Sequence, residues 1–197
     1  MSEHYFDGTP SSDDRRRDIT ARIRGREMTF TTSGGVFSHD GLDKATAVLL
    51  SNSQPPTSGT ILDLGCGWGP IACSVATPDV TVWAVDVNER ALDLTRLNAE
   101  RLGVVVNVAM PGAVPADLEF DEIWSNPPIR IGKQALHELL LTWLPRLAPD
   151  GIARLVVGRN LGADSLHRWL EEQGWRTERA GSEKGFRILL VRRPTAT

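Results

Sequence analysis

The stretch ILDLGCGWGPIA, residues 61–72, joins an apolar run to the start of a helical pattern through three glycines at alternate positions. The apolar run, Thr60–Leu64, has the length of a buried strand. Gly65 permits a tight turn, Gly67 lets a ligand approach the backbone, and Gly69 lets the following helix pack closely on the strand. The stretch therefore predicts a strand, a turn and a helix with a ligand held at the turn.

Two carboxylates accompany this turn. Asp63 lies two residues before the first glycine, and Asp86 follows the next apolar strand, Val80–Val85, 21 residues after Gly65. A carboxylate in the second position can accept both hydroxyl groups of an adenosine ribose. The glycine spacing is one residue shorter than the pyrophosphate fingerprint, and Asp63 would repel a pyrophosphate but suits a cationic amino group. The pattern favours a positively charged nucleoside as the ligand.

Strands and helices alternate outward from this unit, from residue 60 to the end of the chain. Apolar strands separated by helices are typical of a parallel sheet that is buried on both faces. Only the loop 181–185 separates the last two strands, which indicates an antiparallel end. We therefore predict an α/β fold with a doubly wound, seven-stranded, mostly parallel sheet and an antiparallel last strand. The remaining predicted strands are 104–109, 122–125, 152–157, 175–178 and 186–191.

The segment before residue 57 is predicted to form a β-hairpin and a helix. Ile19, Ala21 and Ile23 alternate with polar residues, a turn at Gly25-Arg26 follows, and apolar residues then recur at helical spacing. We expect a polar arm over residues 1–16 and a single domain over 17–197. Within that domain, residues 17–56 form the hairpin and helix and residues 57–197 form the sheet core.

Composition restricts the class of protein. The chain has 197 residues, 41% of them hydrophobic and 24% charged, and a net charge of −3, as in ordinary globular proteins. It contains no apolar run of the roughly 18 residues that cross a bilayer, so we expect no membrane partner. Two cysteines form no disulfide framework, and the four histidines lack metal-ligand spacing. We expect a cytoplasmic protein without a metal.

Arginines are concentrated near the N-terminus. Six of them lie between Arg15 and Arg26, against a single acid, Asp18. Such a run is often a solvated surface, but it can also bind the phosphates of a nucleic acid. The sequence leaves both interpretations open, and Arg15, Arg16 and Arg17 are the candidate phosphate contacts.

A second motif, SNPP at residues 125–128, follows the predicted strand 122–125. Pro127 and Pro128 donate no backbone N–H and have fixed φ angles, so the chain leaves the sheet stiffly. Asn-Pro commonly opens a turn. Beside a nucleoside site, however, the Asn126 side-chain oxygen and the Pro127 carbonyl can both accept hydrogen bonds from an NH2 group. The motif predicts a rigid acceptor for a planar amine.

These motifs together resemble the class I S-adenosylmethionine-dependent methyltransferases, which have a Rossmann-like seven-stranded sheet. The resemblance implies that S-adenosylmethionine is the cofactor, with Asp63 at the methionine amino group and Asp86 at the ribose. It also implies that Val87 lies beside the adenine. The remaining residues implied to line the cofactor site are Phe37, Gly65, Cys66, Gly67, Gly69, Gly112, Ala113 and Asn126.

SNPP is similar to the methyltransferase motif in which Asn, Asp or Ser precedes two prolines and an aromatic residue. The resemblance makes Asn126 and Pro127 the catalytic residues and Pro128 and Ile129 substrate contacts. Methyltransferases with this motif act on amide-like nitrogens, whose lone pair is delocalised into a planar group. In this chain Ile129 replaces the aromatic residue that stacks on the target in relatives.

Other segments resemble the RsmC-type small-subunit rRNA methyltransferases, which methylate the exocyclic N2 of a guanine. They are HYF (4–6), GVFS (35–38), GLDKATAVLL (41–50), NLGADSLHRWL (160–170) and KGFRILLVRR (184–193). The resemblance implies 16S rRNA or the small ribosomal subunit as the partner and places Thr46 and Phe37 at the donor pocket. It covers the catalytic domain of that family, whose members carry a second, degenerate copy of the domain ahead of it.

Two other functions agree with these motifs. A protein glutamine N5-methyltransferase, or another amide or amine N-methyltransferase, would present a planar NH2 group to the same acceptors. Those enzymes usually have the aromatic residue that Ile129 replaces. A non-catalytic ribosome-assembly module that binds RNA would retain only the fold, but the glycines, Asp86 and Asn126 are all in place here.

Overall fold

The computed structural model describes residues 15–194, so the HYF segment and most of the expected polar arm lie outside the described residues. Arg16, which we assigned to that arm, is the first residue of a strand. The strands of the described part are β1 (Arg16–Ile23), β2 (Arg26–Ser33), β3 (Gly59–Leu64), β4 (Val80–Val85), β5 (Asn107–Ala109), β6 (Phe120–Ser125), β7 (Leu147–Gly158), β8 (Arg176–Glu183) and β9 (Phe186–Arg192). The α-helices there are α1 (Lys44–Asn52), α2 (Pro70–Val75), α3 (Glu89–Leu102), α4 (Lys133–Trp143) and α5 (Ala163–Glu172).

The main sheet has the predicted topology. Among the described residues it contains seven strands in the order β5-β4-β3-β6-β7-β9-β8. The pairs from β5 to β7 are parallel, and β9 runs antiparallel to both β7 and β8. The strand order reverses between β3 and β6. In open α/β sheets the ligand site lies at such a switch point, outside the carboxyl ends of the strands.

Each face of the sheet is covered by a separate hydrophobic cluster, as the doubly wound prediction requires. One cluster joins the sheet to β2, α1, α2 and α3, and includes Phe30, Leu49 and Leu94. The other joins the opposite face to α4 and α5, and includes Leu140 and Leu166. The burial of apolar side chains on both faces explains why the central strands are nearly continuous apolar runs.

The N-terminal hairpin is confirmed, with a turn one residue earlier than predicted. Ile23 pairs with Arg26, so the two-residue loop is Arg24-Gly25. Both loop residues have positive φ angles, 49° and 79°, as a type I′ turn requires. Arg24 tolerates this conformation because its guanidinium donates to the carbonyls of Leu50 and Ser53 at 3.2 and 3.3 Å. Arg24 is therefore a structural residue.

Several element bounds differ from the sequence prediction. The strand expected over residues 104–109 is shortened to Asn107–Ala109, because Val104 and Val106 pack at its margin without joining the ladder. The helical apolar pattern extended to Leu147, but α4 ends at Trp143 and Leu147 begins β7. Pro145, which cannot continue a helix, accounts for this early end. None of the helices within residues 15–194 has the length and hydropathy to span a lipid bilayer.

Candidate active site

The carboxyl ends of β3 and β6 lie side by side at the switch point of the sheet. The hydroxyl group of Ser125, the last residue of β6, donates to the carbonyl of Leu64 in β3 at 2.7 Å. This contact joins the two strand ends. One cleft opens there, and its walls include Phe37, Ser38, Asp43, Thr46, Gly65, Cys66, Gly67, Trp68, Pro70, Ile71 and Asn126. The glycine loop and the SNPP motif, 60 residues apart in the sequence, thus share one site.

The glycine loop presents its backbone to this cleft. Gly65 and Gly67 have φ angles of 75° and 57°, and a Cβ atom at either position would meet no atom within 4 Å. The N–H groups of Gly65 and Cys66 donate to the carbonyl of Val85 at 2.8 and 3.1 Å. The loop is therefore fixed to the end of β4, while open space remains in front of its two glycines. A ligand can approach the backbone there, as the spacing predicts.

Gly69 has a different structural role from the expected one. A Cβ atom there would lie 2.9 Å from Cγ2 of Thr95, which belongs to α3. The close approach is thus between the start of α2 and another helix, and not between α2 and its strand. Thr95 also donates its hydroxyl hydrogen to the carbonyl of Gly67 at 2.9 Å. The missing side chain of Gly69 allows α3 to support the loop.

Asp86 connects the two loops that follow β3 and β4. Its Oδ2 accepts from the N–H of Gly67 at 2.9 Å, and its Oδ1 accepts from the N–H of Asn88 at 3.0 Å. Burial raises the pKa of this carboxyl group, and these backbone donors oppose the rise. Val87, the next residue, is 41% exposed beside it. Each carboxylate oxygen retains a further lone pair that can accept from a ligand hydroxyl.

Asp63 is the most deeply buried acid of the site, with 1% of its surface exposed. Its Oδ2 accepts from the N–H of Ala72 at 2.9 Å, while its Oδ1 is buried and has no hydrogen-bond partner in the described residues. Burial, together with the nearby charge of Asp86, raises the pKa of Asp63 to about 7, although the hydrogen bond from Ala72 opposes the rise. A buried acceptor without a donor is unfavourable, so this atom fits a cationic N–H donor from a ligand.

The side chain of Asn126 is held from the opposite wall. Its Nδ2 donates to Oδ2 of Asp43 at 2.9 Å and to Oγ1 of Thr46 at 3.1 Å. Because an amide has two N–H hydrogens and both are used, its Oδ1 remains as the acceptor. The sequence did not identify Asp43. Its position just before α1 fits an N-cap, and it does accept from the N–H groups of Ala45 and Thr46, but no local signal indicates the contact with Asn126.

The two prolines form a rigid turn after Asn126. The N–H of Ile129 donates to the carbonyl of Pro127 at 2.8 Å, and Pro128 has φ −74° and ψ 75°. These values are those of an inverse γ-turn. The turn fixes the direction of the Pro127 carbonyl, which keeps one lone pair for another donor. Ile129 faces a second pocket on the far side of this turn.

The loop between β2 and α1 covers the cleft and was not predicted as part of the site beyond Phe37, which is 44% exposed. Asn88 donates its side-chain N–H to the carbonyl of Gly35 at 2.9 Å. The indole N–H of Trp68 donates to the carbonyl of Ser38 at 3.3 Å. Arg17 donates to the carbonyl of His39 at 2.6 Å. Residues from three separate parts of the chain, namely β1, the glycine loop and the N-cap of α3, therefore hold this loop in place.

The other predicted residues are distributed around the edge of the site. Cys66 contributes backbone to the cleft, while its thiol is buried near Thr95 and burial raises its pKa well above the usual value. Gly112 and Ala113 are exposed in a short 3-10 turn after β5, at the same edge of the sheet but outside the cleft wall. Arg15 and Arg16 are exposed at the start of β1.

The comparisons with known proteins agree with this geometry. The model of the methyltransferase small domain family matches residues 27–190. The uncharacterized protein YbxB of Bacillus subtilis (strain 168) is 34% identical over 98% of this chain and 100% of its own length. The ribosomal RNA small subunit methyltransferase C of Pseudomonas syringae pv. syringae is 30% identical over 93% of this chain and 57% of its own.

A solved structure is similar over the same region. It is the 16S rRNA N2 G1207 methyltransferase (RsmC) of T. thermophilus in complex with AdoMet and guanosine, with a TM-score of 0.80 and 25% identity. The match covers 90% of this chain and 50% of that one. The chain therefore spans about half the length of the RsmC relatives it matches.

The sheet order and the site define a Rossmann-like methyltransferase fold that uses S-adenosylmethionine. The chain belongs to the methyltransferase small domain family, and RsmC enzymes are among its relatives. The resemblance inferred from the sequence motifs is thereby confirmed.

Proposed function

We propose that this methyltransferase transfers a methyl group to the exocyclic N2 amine of a guanine in 16S rRNA. The observation that carries the proposal is the placement of Asn126 beside the glycine loop, with both of its amide hydrogens engaged and its oxygen left as an acceptor. Support comes from the RsmC relatives, whose names state an rRNA substrate, and from the T. thermophilus enzyme, which is named for a guanine N2 target.

The donor-binding residues of this proposal lie in the cleft wall and around its edge. S-adenosylmethionine supplies a methyl group on a sulfonium centre when bound. The backbone of Gly65–Gly69 holds its methionine part, and Oδ1 of Asp63 accepts from its ammonium group. Asp86 accepts from the ribose hydroxyls, and Val87 lies beside the adenine. The further cofactor contacts in this proposal are Phe37, Cys66, Gly112, Ala113 and Asn126.

The acceptor-binding residues orient a weak nucleophile. An exocyclic amine of a base shares its lone pair with the ring. Oδ1 of Asn126 and the carbonyl of Pro127 accept its two N–H groups, which turns the nitrogen towards tetrahedral geometry and directs its lone pair at the methyl group. Pro128 keeps both acceptors in place and, with Ile129, contacts the substrate. These residues act by orientation and electrostatics, without a strong general base.

Labelled methyl transfer tests the proposal directly. The wild-type protein is incubated with labelled S-adenosylmethionine and unmodified 30S subunits, free 16S rRNA or protein release factors, and the products are digested and analysed by mass spectrometry. We expect N2-methylguanosine from one of the RNA substrates. Label in a glutamine side chain would establish the protein amide methyltransferase instead. Donor binding without transfer to any of the three would favour a non-catalytic RNA-binding module.

A further inference from the structure

A second pocket lies on the far side of the Pro127–Pro128 turn from the donor cleft. The residues that line it come from the end of this turn and from the first turns of α4 and α5; they are Ile129, Lys133, Leu136, His137, Leu161, Gly162, Ser165 and Leu166. The ring of His137 stacks on that of Trp169, with centroids 3.6 Å apart and planes at 7°. This stack joins α4 to α5 and fixes the two walls of the pocket.

The floor and rim of this pocket are apolar. Leu136 and Leu166 are buried beneath it, while Ile129 is partly exposed. Leu161, on the rim, is 54% exposed, although leucine gains stability from burial. Leu161 and Ile129 both line the pocket and leave apolar surface exposed, so a planar base can pack against this apolar slot.

A cation lies at the mouth of the pocket. Lys133 is exposed and forms no ion pair within the described part of the chain. It is in the first turn of α4, which contains no acid, and a cation there interacts unfavourably with the helix dipole. Lys133 therefore does not stabilise its own helix, and its charge is available to an anion at the apolar slot.

We propose that this second pocket binds a nucleotide next to the target guanine, with its base between Ile129 and Leu161 and its phosphate at Nζ of Lys133. The choice of RNA as the occupant rests on the proposed function. Ile129 in the pocket wall is three residues after Asn126 in the donor cleft, so an RNA strand that presents its guanine to Asn126 can place a neighbouring nucleotide in the pocket.

Binding of a short RNA tests this inference without requiring transfer. The probe is a fluorescent single-stranded RNA of seven nucleotides with one central guanosine, titrated with the protein in the presence of S-adenosylhomocysteine. We expect Leu161→Ala to weaken RNA binding about fivefold, because it removes apolar contact area. We expect Lys133→Gln to weaken binding and to reduce the slope of log K against log salt by about 0.7, the value for one phosphate contact to a single strand.

Matched variants control for general effects. Leu141, on α4, is 45% exposed but does not line the pocket, and Lys184 is exposed and paired with Glu183. Leu141→Ala and Lys184→Gln should leave RNA affinity and the salt slope unchanged. All variants should bind S-adenosylhomocysteine as the wild type does, because the donor cleft is intact.

Photocrosslinking gives a second, independent test of the nucleotide pocket. A 4-thiouridine beside the central guanosine should crosslink to a peptide that contains residues 129–137 or 159–166. Crosslinks elsewhere, or RNA binding that is unaffected by both pocket variants, would overturn the inference while leaving guanine methylation intact. If the pocket variants weaken RNA binding but the wild type forms no N2-methylguanosine, the proposed reaction is wrong and the pocket is still a nucleotide-binding site.

Discussion

Asn126 is fixed by Asp43 and Thr46, which lie 83 and 80 positions earlier in the chain. Asp43 accepts hydrogen bonds from two backbone N–H groups at the start of α1 and from the Asn126 amide with the same oxygen. The capping residue of a helix thus sets the orientation of the proposed catalytic side chain. In this arrangement the helix and the active site share one carboxylate, so a change in the position of α1 would move the acceptor.

Asn126→Ala should abolish methyl transfer while leaving S-adenosylmethionine binding nearly intact. The alanine removes one of the two acceptors of the substrate amine, and the loss of a comparable oriented polar group costs about 100- to 1000-fold in kcat. Donor affinity is measured by calorimetry and turnover by labelled transfer. A variant with most of its turnover would show that Asn126 does not orient the acceptor.

Thr46→Val should lower kcat about threefold to tenfold without changing the Kd for S-adenosylmethionine. Valine keeps the shape of this buried residue but removes the Oγ1 that accepts from Asn126 at 3.1 Å, so the amide is held by Asp43 alone. Thr46→Ser retains the hydroxyl and should restore most of kcat. Equal rates for the valine and serine variants would assign Thr46 to packing only.

Asp63 should give the protein a pH-dependent stability that is opposite to that of an ordinary surface acid. Its pKa is raised to about 7 by burial, so between about pH 4 and 7 the folded state binds more protons than the unfolded state. The free energy of unfolding of the ligand-free protein should therefore fall as the pH rises through this range. Asp63→Asn should reduce this decrease and leave only the contribution of Asp86, whose pKa burial also raises, as measured by thermal unfolding from pH 4 to 8.

The same group should make donor binding depend on pH. An ionised Asp63 attracts the ammonium group of S-adenosylmethionine, so we expect the wild-type affinity to increase between pH 5.5 and 7.5. The affinity of Asp63→Asn should be lower and independent of pH over that interval. Asp79→Asn, at an exposed position, serves as the control. A wild-type affinity without this increase would mean that Asp63 is already ionised or does not contact the donor.

At the scale of elements, the hairpin and the loop that follows it connect the arginine-rich surface to the cleft. Arg17 in β1 bonds to His39 and Asp40 in the covering loop. Arg24, in the hairpin turn, supports the end of α1 by donating to the backbone carbonyls of Leu50 and Ser53. Asp18 forms an ion pair with Arg101 of α3 at 2.7 Å. Part of the arginine run is therefore structural, and the phosphate-binding interpretation is proposed here for Arg15 and Arg16.

Replacing Arg15 and Arg16 together by glutamine should weaken RNA binding and flatten its salt dependence. If both contact phosphates, the slope of log K against log salt should fall by about 1.4, or about 0.7 for each. Arg26→Gln is the matched control, because it lies in the same hairpin at the turn end, while Arg16 pairs with Ser33 at the end nearer the cleft. An unchanged slope in the double variant would assign the run to a solvated surface.

At the scale of the whole molecule, two hydrophobic clusters hold the two pockets on either side of one turn. The donor cleft is supported by the cluster beneath α1, α2 and α3, and the second pocket by the cluster beneath α4 and α5. The Pro127–Pro128 turn, at the switch point between β3 and β6, separates them. The turn that carries the acceptor oxygens of Asn126 and Pro127 therefore lies between two packed halves of the protein. This packing fixes the position of the turn relative to each pocket.

The sequence by itself determined the class of fold and predicted the two motifs that meet at the cleft. Hydrophobic periodicity depends only on residues that are close in the sequence. The order of strands and helices, the hairpin and the doubly wound sheet could therefore all be predicted. The two motifs around Gly65–Gly69 and Asn126 were equally visible, because turn and loop chemistry depends on glycine and proline at fixed spacing.

Only the tertiary structure decided how these residues act together. The contact of Asp43 and Thr46 with Asn126, the orphaned oxygen of Asp63 and the packing of Gly69 on Thr95 all join residues that are distant in the sequence. Such contacts depend on the register and packing of several elements at once, so no local pattern encodes them. For the same reason, the pocket between α4 and α5 beside Ile129 could not be predicted, because it forms only where the two helices pack next to each other.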